Sequence, residues 1–184
     1  MNDKENTENG EDKDSSIRDD EVDHYAAGLL EAIQNGATLK DLHGVSQETM
    51  HDVYRLAYDF YNHGKLNDAE SLFRFLCIYD FYNPEYAMGL AAVYQLKKNY
   101  NKAIDFYALA YSLSEEDYRP VFYAGQCNLM LRRSVQAKKC FETVIGKCKD
   151  PTINTKAEAY LSALDEIKDG NTKNTPRGNK DEDS

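Results

Sequence analysis

Residue classes recur at intervals of 34 through the middle of this chain, and that period constrains the fold more than any other feature. Leu56, Leu90 and Ala124 form one column, Ala57, Ala91 and Gly125 the next, and Phe60, Tyr94 and Asn128 a third. Ala69, Ala103 and Ala137, then Phe73, Tyr107 and Phe141, then Leu76, Ala110 and Val144 complete the set. A period of this length accommodates two short antiparallel helices with their turns. Small residues belong where the two helices approach closely, and aromatic residues where the gap to the next pair must be filled. A buried aromatic at such a position is worth about 3–5 kcal/mol over alanine.

The pattern is that of tetratricopeptide hairpins, and it predicts three of them, at about 50–83, 84–117 and 118–149 within residues 46–150. Ser46 is placed to cap the first helix, Gly64 to turn the first hairpin, and Lys98-Asn99 and Arg132-Arg133 to turn the later two. Pro84, Pro120 and Pro151 stand where helices begin. The proline usual near the end of each unit is replaced by Phe81, Glu115 and Lys149, so the turns between repeats are expected to differ from consensus. Ala157, Tyr160, Leu161, Leu164 and Ile167 predict a C-terminal capping helix over residues 151–168. Ahead of the repeats, residues 20–45 predict an N-terminal helix stopped at Asn35-Gly36, then a short helical turn from Thr38 with Asp41 in an acidic capping box and Gly44 at its end. The fold class is all-α, since no period-two alternation long enough for a strand occurs. Residues 1–19 and 169–184 are polar, charged tails expected to be disordered.

Charge narrows the functions open to such a stack. The net charge is −10, with the acids crowded into the first two dozen residues, a distribution that repels phosphate and anionic lipid. Direct partnership with nucleic acid or membrane is therefore excluded, and the acidic tail reads first as a solubilising device. No signal peptide and no membrane span is expected, which puts the chain in the cytoplasm. Cys77, Cys127, Cys140 and Cys148 lack metal-ligand spacing and are read as reduced, mostly buried thiols. His24, His43, His51 and His63 do not converge with them or with a carboxylate pair, and no phosphate loop or nucleophile elbow occurs. Neither a cofactor, a metal nor a catalytic residue is expected; the chain is not an enzyme.

Function should then lie on the first helix of each hairpin, where residues not needed by the core face the inner side of the stack. Those positions are apolar: Tyr54, Met88 and Phe122 in one column, Tyr58, Ala92 and Gln126 in the next, Tyr61, Gln95 and Leu129 in a third, with Leu96 and Met130 beside them. Tyr79 and Tyr82 extend the surface. Tyrosine offers a broad ring with a hydroxyl rim and methionine adapts to irregular shapes, which suits an extended, partly apolar peptide. The lysine and asparagine clamp that some tetratricopeptide grooves use for a terminal carboxylate is absent. A generic scaffold joining two proteins is the alternative, and it predicts a polar groove instead. On the N-terminal helix, Tyr25, Ala26, Leu29, Leu30 and Ile33 leave an apolar stripe that either packs on the first repeat or covers a second copy.

Three stretches carry a closer resemblance: GATLKDLHGV at 36–45, YDFYNHGKLNDAESLFRFLCIYDFYNPEYAMGLAAVYQLKK at 58–98 and DYRPVFYAGQCNLML at 117–131. They resemble the class II chaperones of type III secretion, those of the translocator proteins, over roughly residues 20–168, and FRFLCIYDFYN is closest to the invasion-type members. The resemblance implies a bacterial cytosolic chaperone that binds two hydrophobic, pore-forming translocators without ATP and keeps them soluble and apart. It implies that a short proline- and leucine-containing segment near a translocator's N-terminus lies extended in the groove, around Tyr54, Tyr58, Tyr61, Met88 and Phe122. It further implies homodimerisation through the N-terminal helix, and a second role as co-activator of an AraC-type transcription factor. Charges introduced together at Leu29 and Ile33 are expected to change the oligomeric state; a sedimentation mass equal to that of the unaltered chain would refute the dimer reading.

Overall fold

Helix follows helix from Asp19 to Lys173 in the computed structural model, which describes residues 19–114 and 116–173. The elements are α1 (Asp19–Gln34), α2 (Leu39–Leu42), α3 (Gln47–Asn62), α4 (Leu66–Tyr79), α5 (Pro84–Leu96), α6 (Tyr100–Leu113), α7 (Arg119–Met130), α8 (Ser134–Lys147) and α9 (Pro151–Lys173). No strand occurs among the described residues. The chain divides into two units, one ending at Ala37 and holding α1, the other starting at Thr38 and holding α2 to α9.

In the first unit, α1 ends at a left-handed Gly36, with φ of 87°. Leu29, Leu30 and Ile33 on its apolar stripe are exposed, while the side chains of Tyr25 and Ala26 lie outside the described residues. The acidic tail predicted for residues 1–19 also lies outside them, apart from Asp19, which opens the helix.

The second unit opens on the predicted capping box. The Thr38 backbone N–H and hydroxyl both donate to the Asp41 carboxylate, at 2.9 and 2.7 Å, and these bonds hold that carboxyl below the usual carboxylate range. Ser46 caps α3 by accepting from the Thr49 N–H at 3.0 Å. The helices then pair as α3 with α4, α5 with α6 and α7 with α8, and each hairpin packs on its neighbour. Ala57, Ala91, Ala69, Ala103 and Ala137 are fully buried, and a Cβ added at Gly125 would sit 2.8 Å from the Phe141 ring, so the small columns mark close helix approach as their chemistry requires. Phe73, Tyr107 and Phe141 are buried too, and each reaches towards the following first helix: Phe73 lies where a Cβ on Gly89 would fall, Tyr107 stacks on Tyr123 at 5.7 Å, and Phe141 stacks on Tyr160 of α9 at 5.0 Å.

One column breaks its own pattern. Leu90 is fully buried, whereas Leu56, its counterpart in the first hairpin, is 47% exposed, because no hairpin precedes α3 to cover it. At the other end α9 covers the third hairpin, burying Ala157 and half-burying Tyr160, Leu161 and Leu164; the Ile167 side chain lies outside the described residues. The helix runs on to Lys173, so residues 169–173, read from composition as part of a tail, continue it. Glu115, one of the three residues replacing the consensus proline, is outside the described residues; Phe81 and Lys149 are exposed between helices.

All three hairpin turns use one device. Gly64, Lys98 and Arg132, each 34 residues from the last, adopt left-handed backbone with φ of 72°, 60° and 58°. In each case the following N–H bonds back five residues, Lys65 to Phe60 at 2.9 Å, Asn99 to Tyr94 at 2.9 Å and Arg133 to Asn128 at 2.8 Å, which is the Schellman closure of a helix end. Only the first site carries the residue that adopts this conformation without steric cost. Lys98→Gly and Arg132→Gly are therefore each expected to raise stability by about 0.5–1 kcal/mol, seen as a higher urea midpoint at unchanged slope. A lowered midpoint would contradict the assigned strain.

Candidate functional site

A hollow of about 450 Å³ opens along the first helices of the hairpins. From α3 it takes Tyr54, Tyr58 and Tyr61, from α5 Glu85, Met88, Gly89, Ala92, Gln95 and Leu96, and from α7 Arg119 and Tyr123, with Phe73 and Tyr107 of the second helices beneath. The turn spacing of α3 explains the tyrosine row: residues three and four apart share a helix face, and the rings of Tyr54 and Tyr58 stand 6.2 Å apart, those of Tyr58 and Tyr61 5.8 Å. Tyr54 also lies edge-on to Phe73 at 6.0 Å and against Tyr86 at 5.7 Å, which fixes the row to the core. Gly89 makes the floor possible, because any side chain there would displace the Phe73 ring.

Burial pushes the phenols of Tyr54 and Tyr61 above the ordinary tyrosine range, and that of Tyr107 far above it, so all three remain protonated hydrogen-bond donors in neutral solution. The Tyr107 hydroxyl donates to Gln95 Oε1 at 2.7 Å, Gln95 Nε2 to Gln126 Oε1 at 3.4 Å, and Gln126 Nε2 to the Tyr160 hydroxyl at 3.0 Å. This relay joins the floor of the hollow to the cap helix through α5 and α7. At the other end Glu85 and Arg119, also 34 residues apart, form an ion pair at 2.6 Å, with Asp117 2.7 Å from the same guanidinium nitrogen. The two carboxylates raise the Arg119 pKa further above its already high value, Asp117 contributing most.

Seven of the residues read from the inner columns line this hollow: Tyr54, Tyr58, Tyr61, Met88, Ala92, Gln95 and Leu96. Gln126 borders it through its bond to Gln95. The other five sit elsewhere, and of these Met130 is exposed at the end of α7. Tyr79 stacks on Phe75 at 4.2 Å and against His43 at 5.5 Å. Tyr82 is exposed and stacks on Phe81 at 4.3 Å, and Leu129 is half-buried in the cluster of the third hairpin. Phe122 is 4% exposed, packed between Phe141 at 5.8 Å and Tyr160 at 5.9 Å, because α9 closes over this last first helix; its neighbour Tyr123 takes the place at the hollow.

Inner-column reasoning missed Phe73, Glu85, Gly89, Tyr107, Arg119 and Tyr123. Phe73 and Tyr107 read as core, and they serve both purposes. Glu85 and Arg119 were legible, standing one helical turn ahead of Met88 and Phe122 and hence on the same face. Among the described residues no three His, Cys, Asp or Glu side chains cluster as they would to hold a metal ion. Burial pushes the thiols of Cys77 and Cys127 up to about 12 and raises that of Cys140, which keeps them unreactive. All four cysteines are free.

Comparison with known proteins adds three findings. A family model described as tetratricopeptide repeat matches residues 50–83 and 84–117, the first two hairpins, while the third carries the same helical pairing without a match. The chaperone protein SicA of Salmonella dublin is 53% identical over 142 residues, covering 77% of this chain and 86% of that protein. Among solved structures, the type III secretion chaperone SycD of Yersinia enterocolitica in complex with a peptide of the translocator YopD superposes with a TM-score of 0.64 at 26% identity, over 67% of this chain and 98% of SycD. PcrH in complex with the chaperone binding region of PopD gives 0.65 at 29% identity, over 68% of this chain and 97% of PcrH. SycD has also been solved in an alternative dimer, and PcrH with the chaperone binding region of PopB.

The position of Phe122 has a direct consequence. Phe122→Asp would bury a charge among aromatic rings, so it is expected to destabilise the third hairpin by about 3–5 kcal/mol. An unaltered thermal midpoint would contradict the packing.

Proposed function

We propose a function for this chain from the premise that it belongs to the class II chaperones of type III secretion, the translocator chaperones: it holds an extended segment of a translocator in the hollow of α3, α5 and α7. The aromatic, uncharged run of Tyr54, Tyr58, Tyr61, Met88 and Ala92 carries this reading. An apolar segment laid there removes its side chains from water at about 25 cal/mol per Å², and the hydroxyls of the tyrosine row supply partners for its backbone. Chaperone action then needs neither ATP nor a cofactor. Covering the translocator's apolar segment lowers the population of the aggregating and prematurely associating forms, since binding stabilises whichever state it selects. The complexes of SycD with a YopD peptide and of PcrH with PopD and PopB regions support the segment as the thing bound, and support two translocators as cargo. A general scaffold would present a polar groove, and the lining of this one is mostly ring and aliphatic carbon.

The site of action in this reading is the bacterial cytoplasm, before export. Among the described residues no helix is long and apolar enough to cross a membrane. In the cargo-free state the exposed Leu29, Leu30 and Ile33, with Tyr25 and Ala26 on the same stripe, would form the homodimer contact, a reading supported by the dimer known for SycD. Co-activation of an AraC-type factor by the cargo-free chain rests on family resemblance alone.

Tyr58 is 49% exposed at the hollow, which makes it the cleaner position for a test than the core-packed Tyr54. Tyr58→Asp, and Tyr54→Asp beside it, are expected to abolish co-purification of both translocators on co-expression, with the far-ultraviolet circular dichroism unchanged for Tyr58→Asp. Undiminished capture of both by the Tyr58 variant would sink the hollow as the cargo site.

A further inference from the structure

We propose that Arg119 sets the register of the bound segment, by donating from its guanidinium to one main-chain carbonyl of the chain lying in the hollow. The inference rests on the peptide-binding reading above and identifies the side chain that decides where along the hollow the segment stops.

Among the described residues, Glu85 and Arg119 are the charged members of the lining; the rest present rings, aliphatic carbon, hydroxyls or an amide. Arg119 is held in one orientation, its Nε donating to Asp117 Oδ2 at 2.8 Å and its Nη2 to Glu85 Oε1 at 2.6 Å. Asp117 is itself fixed, because its Oδ1 accepts the Arg119 backbone N–H at 2.9 Å at the start of α7. Among the described residues Nη1 has no partner, and it belongs to a side chain that lines the hollow. An extended segment seated in an apolar trough must find donors for its buried carbonyls, and an oriented guanidinium is a strong one.

The fold needs this ion pair little. The side chains of Arg119 and Glu85 are 45% and 47% exposed, and pairs so wetted contribute about 0–1 kcal/mol. The small columns and the Phe73, Tyr107 and Phe141 column keep their residue class through all three hairpins, but this one runs His51, Glu85, Arg119. It links α5 to α7 through side chains alone and only at this end of the hollow. The chemistry of the acceptor follows from the charge count. Two carboxylates already surround one guanidinium, so an acidic cargo side chain would be repelled, whereas a neutral carbonyl is accepted without that penalty.

The test uses the full chain and short overlapping peptides tiled along the two translocators of the same bacterium, with binding read by fluorescence anisotropy. Arg119→Met keeps the aliphatic stem and removes the donors; it is expected to weaken binding of the best peptide about 10–100-fold at an unchanged thermal midpoint. Glu85→Gln weakens the pair but leaves the guanidinium on Asp117, and should cost distinctly less affinity than Arg119→Met. Replacing single peptide amides by esters should weaken binding to wild type at one position and have no further effect on Arg119→Met, which identifies the carbonyl. Wild-type affinity in Arg119→Met overturns the proposal, as does an equal loss in Glu85→Gln, which would make the pair a spacer between helices, or a fallen thermal midpoint in Arg119→Met. Failure of every peptide to bind wild type overturns the peptide-binding reading itself, and the register with it.

Discussion

Each hairpin of this protein places a buried aromatic ring against the first helix of the next element, and the rest of the structure depends on that contact. Phe73 lies under Gly89, Tyr107 against Tyr123 and Phe141 against Tyr160. The rings can reach across only because alanine and glycine at the inner columns let the two helices of a pair approach closely. The same geometry leaves the inner-facing residues of α3 and α5 open to the hollow. A stack held together on one side by rings and small residues thus frees a continuous face on the other, and that face is the hollow.

The hollow inherits its character from the core. Phe73 and Tyr107 are at once packing residues and floor, so the surface offered to a ligand is built in part from buried, packed rings. Such pre-organisation lowers the ordering cost of binding, which an extended, flexible segment otherwise bears alone. In the proposed function, cargo that arrives unfolded would meet a site that is already shaped. The relay from Tyr107 through Gln95 and Gln126 to Tyr160 ties that floor to the cap helix, so the last element of the stack is held by polar as well as aromatic contacts.

The two ends of the stack behave differently for one reason, the presence or absence of a neighbour. At the C-terminal end α9 closes over α7, turning Phe122 inward. At the other end α3 has no preceding hairpin, and Leu56 stays half-exposed while Leu90 is buried. Repeats that look equivalent in the chain are thus unequal in their surroundings, as expected when stability in a stack comes from nearest neighbours.

That inequality divides what could be read from the chain from what could not. Local chemistry determined the helices, their caps at Thr38 and Ser46, the turn positions at Gly64, Lys98 and Arg132, and the small and aromatic columns, because each depends on residues within one or two helical turns or on a fixed period. It also determined that most of the inner face is apolar, and the kinship that names the family was legible in three stretches of residues. Only the tertiary structure decided which inner-column residues meet. Met88 and Phe122 occupy the same position in successive repeats, yet one lines the hollow and the other is buried, since a periodic pattern carries no information about which repeat has a cap beside it. Glu85 and Arg119 pair because α5 and α7 are brought side by side by packing of the helices between them, a distance that 34 residues of chain do not specify by themselves.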